Sequence, residues 1–282
     1  MSDQISASPP ELLELTVILP VFNEVENLPL LWRELIGVLD AHWRHVEIIF
    51  VDDMSTDGSA EWIRELAQRD GRVRHVRFAR HAGLTAALDA GYRRAQGSIV
   101  VTMDSDLQSD PADIPQLVAA LADADAATGW RVHRHDTWLR RLSSRIANFI
   151  RNRVTQETVR DSACTLRAMK RACTAALPPY DGLHRFVPTL LRIAGHRVVE
   201  IPVTHRARRF GESKFGVRNR AGRAFRDLLF VRWMQHRVLR YVIEPTVELT
   251  RPASDEPPPS RPPWAGHERE ARARREGVPY VQ

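Results

Sequence analysis

I-V-V-T-M-D-S-D-L-Q-S-D-P, from Ile99 to Pro111, is the stretch from which the rest of the chain can be read. The run Ile99 to Met103 ends abruptly in two carboxylates one residue apart, Asp104 and Asp106, followed by Gln108 and the helix-opening pair Asp110-Pro111. Extended backbone sends residues i and i+2 to the same side, so Asp104 and Asp106 face one hard cation together. A divalent metal in such a seat keeps positions open for waters and substrate phosphates, because two carboxylates do not complete an octahedron. Taken alone, D-x-D fits an acidic strand-to-helix loop capped by Asp110 equally well.

Upstream, strands and helices alternate. Leu15 to Val21, Val46 to Val51, Val73 to Phe78 and Ile99 to Met103 read as buried strands; residues 24–40 and 84–95 read as helices between them, as does a helix running through Arg69 after the turn and cap residues Ser55 to Ser59. This alternation predicts a parallel sheet wrapped by right-handed crossovers, with ligands at the carboxyl ends of the strands. Those ends carry Asn23 and Glu24, Asp52 and Asp53, Arg80 and His81, and Asp104 and Asp106. Polar groups therefore converge on one rim.

With 282 residues, 43% of them hydrophobic, the chain is expected to form one large domain. A net charge of +6 points to an anionic partner. Cys164 and Cys173 have neither C-x-x-C spacing nor a histidine cluster, so both are expected as reduced thiols and structural zinc is not expected. The start lacks a secretory pattern, and no run approaches the roughly 20 apolar residues that cross a bilayer. The expectation is a cytoplasmic protein whose membrane contact is peripheral. Residues 1–12 and the Pro- and Arg-rich residues 246–282 are expected to be disordered.

The second half is basic. Residues 136–154 and 183–194 read as helices, Val198 to Val203 as a strand, and residues 217–241 as a long amphipathic helix. Across residues 205–240, eleven Lys and Arg face only Glu212 and Asp227, so the positive charge is concentrated. In the last helix, Phe225, Leu228, Leu229, Arg232 and Trp233 mix apolar and basic character as interfacial helices do. The aromatic residues Trp138, Phe225 and Trp233 suit lipid anchoring or core packing; Trp32, Trp43 and Trp62 read as packing. His133 and His135, flanked by arginines, read as a surface loop.

Five segments in order resemble family 2 glycosyltransferases of the GT-A fold: L-P-V-F-N-E-V-E-N-L (Leu19 to Leu28), V-D-D-M-S-T-D-G-S (Val51 to Ser59), H-A-G-L-T-A-A-L-D-A-G (His81 to Gly91), D-S-D-L-Q-S-D-P and R-F-G-E-S-K-F-G (Arg209 to Gly216). The D-L-Q extension and the G-E-S-K loop are similar to the branch that includes dolichyl-phosphate mannose synthase and bacterial polyprenyl-phosphate glycosyltransferases. Met54 stands where that family often has Gly, a mild change in a turn. Many relatives carry carboxy-terminal transmembrane helices that this sequence lacks.

The resemblance implies a single α/β domain over residues 13–245, with a Rossmann-like, mostly parallel sheet flanked by helices. Residues 13–130 would hold a nucleoside diphosphate sugar, GDP-mannose or a UDP-hexose. Pro20, Phe22, Glu24, Asp52, Asp53, Gly83, Asp104, Ser105 and Asp106 would line that pocket. Asp104 and Asp106, supported by Gln108, would carry Mg2+ or Mn2+ on the donor diphosphate. The acceptor implied is a polyprenyl phosphate bound by residues 131–245, with Arg131, Arg140, Ser144, Arg208, Ser213 and Lys214 on its phosphate. Asp161 matches a position sometimes assigned as general base. With Asp106, Arg131 and Arg208 it makes up the expected catalytic set.

Two other classes compete. A glycosyltransferase acting on a sugar or small-molecule hydroxyl would need Asp161 as a base. A nucleic-acid-binding protein would explain the charge but not the acidic rim, and no zinc-finger or RNA-binding motif is present, so no nucleic-acid partner is expected.

Overall fold

A computed structural model describes residues 13–132, 148–210 and 218–238. Leu15–Val21 (β1) lies near the middle of the sheet, with six of its seven residues buried. Its side chains alternate between two cores: Leu15, Val17, Leu19 and Val21 face one, Ile18 the other. Val46–Asp52 (β2) is buried throughout, Val73–Arg77 (β3) is the edge strand beside it, and Ile99–Thr102 (β4) pairs on the far side of β1. All four are parallel, as the alternation of strands and helices predicts.

Leu28–His42 (α1) places Leu28, Leu31, Leu35 and Leu39 on the first core, at the spacing expected of one helix face. It begins four residues later than the periodicity predicts, because residues 24–27 form a turn and Pro29 occupies the first helical turn, where a missing N–H costs least. Ser59–Arg69 (α2) lays Trp62 edge-on against Phe50, with ring centroids 6.3 Å apart. Trp32 and Trp43 pack on the same core, as expected. Leu84–Tyr92 (α3) covers the opposite face of the sheet. Each fully buried Leu, Ile or Phe contributes about 1.5–3 kcal/mol. The turn into β4 passes so close to β1 that a Cβ at Gly97 would lie 2.6 Å from backbone atoms of Leu15 and Thr16.

After Pro111–Asp113 (a 3-10 turn opened by the Asp110 side chain) and Ile114–Ala119 (α4), the chain forms two strands that the sequence does not announce. Ala126–Arg131 (β5) has little β-branched character, and its Gly129 is closely faced by Val203 and Cys164. Arg167–Lys170 (β6) is four residues long and runs antiparallel between β4 and β5. Segments with few β-branched residues suffice here because neighbours on both sides supply the packing. Val198–Val203 (β7) completes the order β3-β2-β1-β4-β6-β5-β7, in which β6 alone is reversed.

Residues 148–155 are helical (α5), the described part of the helix expected over 136–154. The helix expected over 183–194 is divided into a 3-10 turn, Leu183–Phe186, and Val187–Ile193 (α6), with Pro188 in the first turn of α6. Arg218–Gln235 (α7) ends in a turn at residues 236–237 instead of continuing to 241. Leu228 and Val231 of α7 close a third core with Phe186 and Leu190. Both cysteines are buried free thiols. The expected disordered termini and the domain limit at 245 lie outside the described residues.

Candidate active site

The carboxyl ends of β1, β2 and β4 meet a cleft of about 350 Å³, lined by Pro20, Phe22, Glu24, Asp53, His81, Gly83, Asp104, Ser105, Asp106, Gln108 and Arg208, with Val21, Leu84 and Ala87. Its floor is built from interlocked loops. Ser55 Oγ accepts from the Asn23 amide, Ser59 Oγ from the Glu24 amide and an Asp57 oxygen from the Val25 amide, each at 2.9–3.0 Å. The polar S-T-D-G-S segment thus stitches the β2 loop to the β1 loop as well as starting α2.

Asp53 organises the third loop. Its two oxygens accept from the Ala82 and Gly83 amides at 2.6 and 2.7 Å, and His81 Nδ1 lies 3.0 Å away. Gly83 turns with φ 89°, a conformation that favours glycine, and the Phe22 and His81 rings face each other with centroids 4.5 Å apart. Asp52, expected on the nucleotide, is fully buried beneath the rim instead. It accepts from the Ser55 amide at 2.9 Å and pairs with Arg77 at 3.2 Å. In this consecutive pair the strand's alternation sends Asp52 inward and leaves Asp53 at the cleft.

Asp104 and Asp106 follow β4. Thr165 Oγ1 donates to Asp104 Oδ2 at 2.6 Å, and the Thr165 carbonyl accepts from Thr102 Oγ1 at 2.7 Å, so the approach to β6 buttresses the first carboxylate. Burial, then the charge of Asp106, push the Asp104 carboxyl up to about 6; Thr165, Arg167 and Arg131 pull the other way. Asp106 Oδ1 accepts from the Gln108 amide at 3.1 Å, and its Oδ2 from Arg208 Nη2 at 2.6 Å. Ser105 is buried and donates to the Pro20 carbonyl at 2.8 Å.

Arg206, two residues before Arg208, anchors the same segment to the acidic loop. Its guanidinium pairs with Asp110 and Glu34, and its amide donates to the Gln108 carbonyl at 2.9 Å. The sequence offers no signal that singles out Arg206 or Thr165, since one sits among many arginines and the other on an unannounced strand edge. Arg131, at the end of β5, clasps Asp161 with Nε to Oδ2 at 2.6 Å and Nη2 to Oδ1 at 3.0 Å. Both Asp161 oxygens are thereby engaged by a guanidinium. Arg140, Ser144, Ser213 and Lys214, with His133, His135 and Trp138, lie outside the described residues.

The sequence matches the family described as Glycosyl transferase family 2 over residues 16–176. The chain belongs to that family. It is 39% identical over 204 residues to undecaprenyl-phosphate 4-deoxy-4-formamido-L-arabinose transferase of Edwardsiella ictaluri, covering 72% of this chain and 63% of that protein. It is 35% identical over 243 residues to dodecaprenyl-phosphate galacturonate synthase of Rhizobium johnstonii, covering 84% of this chain and 70% of the relative. The chain therefore spans about two thirds of the length of these relatives. Among solved structures, Mycobacterium tuberculosis glucosyl-3-phosphoglycerate synthase in complex with Mn2+, UDP and phosphoglyceric acid superimposes with a TM-score of 0.60 at 20% identity, covering 79% of this chain and 78% of that one. The likeness establishes the GT-A fold.

The donor set of this family 2 chain fits a hard divalent cation. Asp104, Asp106 and the Gln108 amide oxygen are oxygen donors on one cleft wall, and a cation between the carboxylates would offset the burial and the Asp106 charge that together raise Asp104. Among the described residues there is no group of three or more His, Cys, Asp or Glu arranged around a metal. The remaining coordination would come from donor phosphates and water.

Proposed function

We propose that this chain transfers a hexose-type glycosyl group from a nucleoside diphosphate sugar to a polyprenyl phosphate, with inversion at the anomeric carbon. The observation that carries the proposal is the meeting of Asp104 and Asp106 with Arg208 in one cleft, a cation seat beside an anion-binding guanidinium. The two relatives named above, both polyprenyl-phosphate enzymes by name, support the acceptor class.

Bound Mg2+ or Mn2+ would act as a Lewis acid on the leaving diphosphate. Asp104 and Asp106 would hold it, Thr165 and the Gln108 amide would orient those carboxylates, and Phe22, Glu24 and the Asp53-braced 81–83 loop would shape the donor pocket. An acceptor phosphate has a second pKa near 6 and is already anionic at neutral pH. Its oxygen forms the new bond to the anomeric carbon while the bond to the diphosphate breaks, and the leaving nucleoside diphosphate takes the electron pair. No protein base has to remove a proton. Arg208 and Arg131 are suited to hold the reacting phosphate, since planar guanidinium forks match it in two directions. Transfer to a sugar hydroxyl, which needs a base, is less well served because Asp161 is committed to Arg131.

The membrane side of the proposal rests on α7. Phe225, Leu229, Phe230 and Trp233 are exposed together with Arg226 and Arg237, whereas Leu228, expected on that face, is buried in the third core. Asp227 turns aside to Arg185 at 3.5 Å. An apolar arc edged by arginines suits an anionic bilayer surface. No helix among the described residues is long and apolar enough to cross one.

The test is calorimetric binding of GDP-mannose, UDP-glucose, UDP-N-acetylglucosamine and UDP-galacturonate with Mn2+ and then with excess chelator, followed by transfer to undecaprenyl phosphate. Metal-dependent binding of one donor, lost in Asp106→Ala, and sugar appearing on the lipid are the expected results. Donor binding with transfer only to hydroxyl acceptors would overturn the acceptor assignment.

A further inference from the structure

A second cavity, of about 190 Å³, lies beneath the rim between α3 and residues 177–190. It has its own walls, separate from those of the catalytic cleft. Consecutive residues at the start of α3 divide the two spaces: Gly83, Leu84 and Ala87 face the cleft, Ala82, Thr85 and Ala86 the cavity. Leu88, Tyr92, Leu177, Pro178, Val187 and Leu190 form its apolar body.

The polar groups at its margin are already engaged, apart from the buried Tyr92 hydroxyl, which has no hydrogen-bond partner among the described residues. Thr85 Oγ1 accepts from the Gly182 amide at 3.0 Å and lies 2.7 Å from His184 Nδ1 and 3.3 Å from Asp181 Oδ1. Asp89 accepts from Arg93 Nε at 2.8 Å. The buried Tyr92 hydroxyl lies on the inner side, beside Thr102 of β4. A polar ligand would find few partners here, whereas hydrocarbon would replace water at a gain of about 0.8 kcal/mol per buried methylene.

At its outer end the cavity reaches Tyr180, whose ring packs edge-on against Phe230 of α7 with centroids 5.5 Å apart; Phe230 in turn stacks on Trp233 at 6.0 Å. Tyr180 and Trp233 are both more than half exposed. An aromatic path therefore leads from the surface that faces the bilayer to a cavity sharing the first turn of α3 with the catalytic cleft.

We propose that this cavity seats isoprenoid units of the lipid acceptor, an inference that rests on the polyprenyl-phosphate reading above. It makes chain length a property the enzyme senses. The cavity discriminates a long prenyl phosphate from a short one by how much hydrocarbon it removes from water.

Two measurements test it. The first photolabels the wild-type protein with a prenyl phosphate bearing a diazirine on its third isoprene unit and maps the adduct by mass spectrometry. Labelling within residues 84–92 or 177–190, displaced by undecaprenyl phosphate, is expected; labelling confined to α7 or to other surfaces overturns the proposal. The second compares Ala86→Phe, which fills the cavity, with wild type on undecaprenyl phosphate and on the two-isoprene citronellyl phosphate. The KM for the long acceptor should rise about tenfold, equivalent to about 1.4 kcal/mol, with the short acceptor and donor binding changed less than twofold. An unchanged KM for the long acceptor in a folded, donor-binding variant overturns the cavity assignment. Wild type that glycosylates no prenyl phosphate of either length refutes the acceptor reading itself, and the inference falls with it.

Discussion

Arg208 Nη2 and Asp106 Oδ2 lie 2.6 Å apart although 102 residues separate them in sequence. The contact joins the basic segment after β7 to the acidic loop after β4, and it places a guanidinium against a carboxylate that also suits a divalent cation. A divalent metal bound there would therefore compete with Arg208 for Asp106. Arg208→Ala is expected to bind Mn2+ more tightly without donor while losing about 10²–10³-fold in kcat, the usual loss of one electrostatic contact to a developing charge. Arg208→Lys should restore little, because one ammonium does not replace a planar fork. Manganese titration by electron paramagnetic resonance, together with turnover, separates the two effects.

Thr165 is expected to set metal affinity without touching the metal. Thr165→Val removes the hydroxyl donor to Asp104 while keeping the side-chain shape, and Mn2+ should bind about 10-fold more weakly, at the low end of the range for such supporting groups. Thr165→Ser retains the hydroxyl and should bind as wild type. Equal weakening in both variants would mean that the β6 approach acts through packing.

The Arg131–Asp161 clasp separates a phosphate acceptor from a hydroxyl acceptor. If Asp161 only positions Arg131, Asp161→Asn should raise the acceptor KM and leave the pH profile of kcat unchanged. Loss of the acidic limb of that profile would identify a proton-accepting Asp161. With side chains only 17% and 6% exposed, the pair should cost about 2–3 kcal/mol when broken by Arg131→Ala, somewhat less than a fully buried pair. Denaturant unfolding measures that loss.

His75 on β3 predicts a pH effect on stability. Burial holds its pKa below the ordinary value, with Arg64 and Arg77 acting in the same direction and Asp52 and Glu61 opposing them. Its Nε2 is buried without a hydrogen-bond partner. The folded state thus favours neutral imidazole, and the associated stability is present above about pH 6.5, the unfolded value, and lost as pH falls through the lower folded value. His75→Phe should melt with a shallower decline between pH 7 and pH 5 than wild type. Parallel melting curves would exclude His75 as the source.

Met54 carries φ 65° in the β2 loop, so the turn is strained where sequence reading expects only a mild change. Met54→Gly should relieve about 1–2 kcal/mol of left-handed strain and lose about 0.5–1 kcal/mol to added chain entropy. A net gain of about 0.5–1 kcal/mol in denaturant unfolding is the expected result.

The sequence by itself determined the parallel core of the sheet and the chemistry of its rim. β1, β2 and β4 are apolar runs that have no stable place except buried between two layers, and the carboxylates that end them fall on one edge because every strand points the same way. Hydrophobic periodicity likewise located α1, α2 and α3 to within a few residues. Tertiary structure alone decided which member of Asp52-Asp53 faces the cleft, since the sequence shows two equal carboxylates and only the sheet's register distinguishes inside from rim. It also decided β5 and β6, which have few β-branched residues and are held by their neighbours. Thr165 and Arg206 were invisible for the same reason: their roles depend on partners 61 and 172 residues away, Asp104 and Glu34, which no local pattern encodes. Local pattern sets what a segment prefers; long-range packing sets what each side chain touches.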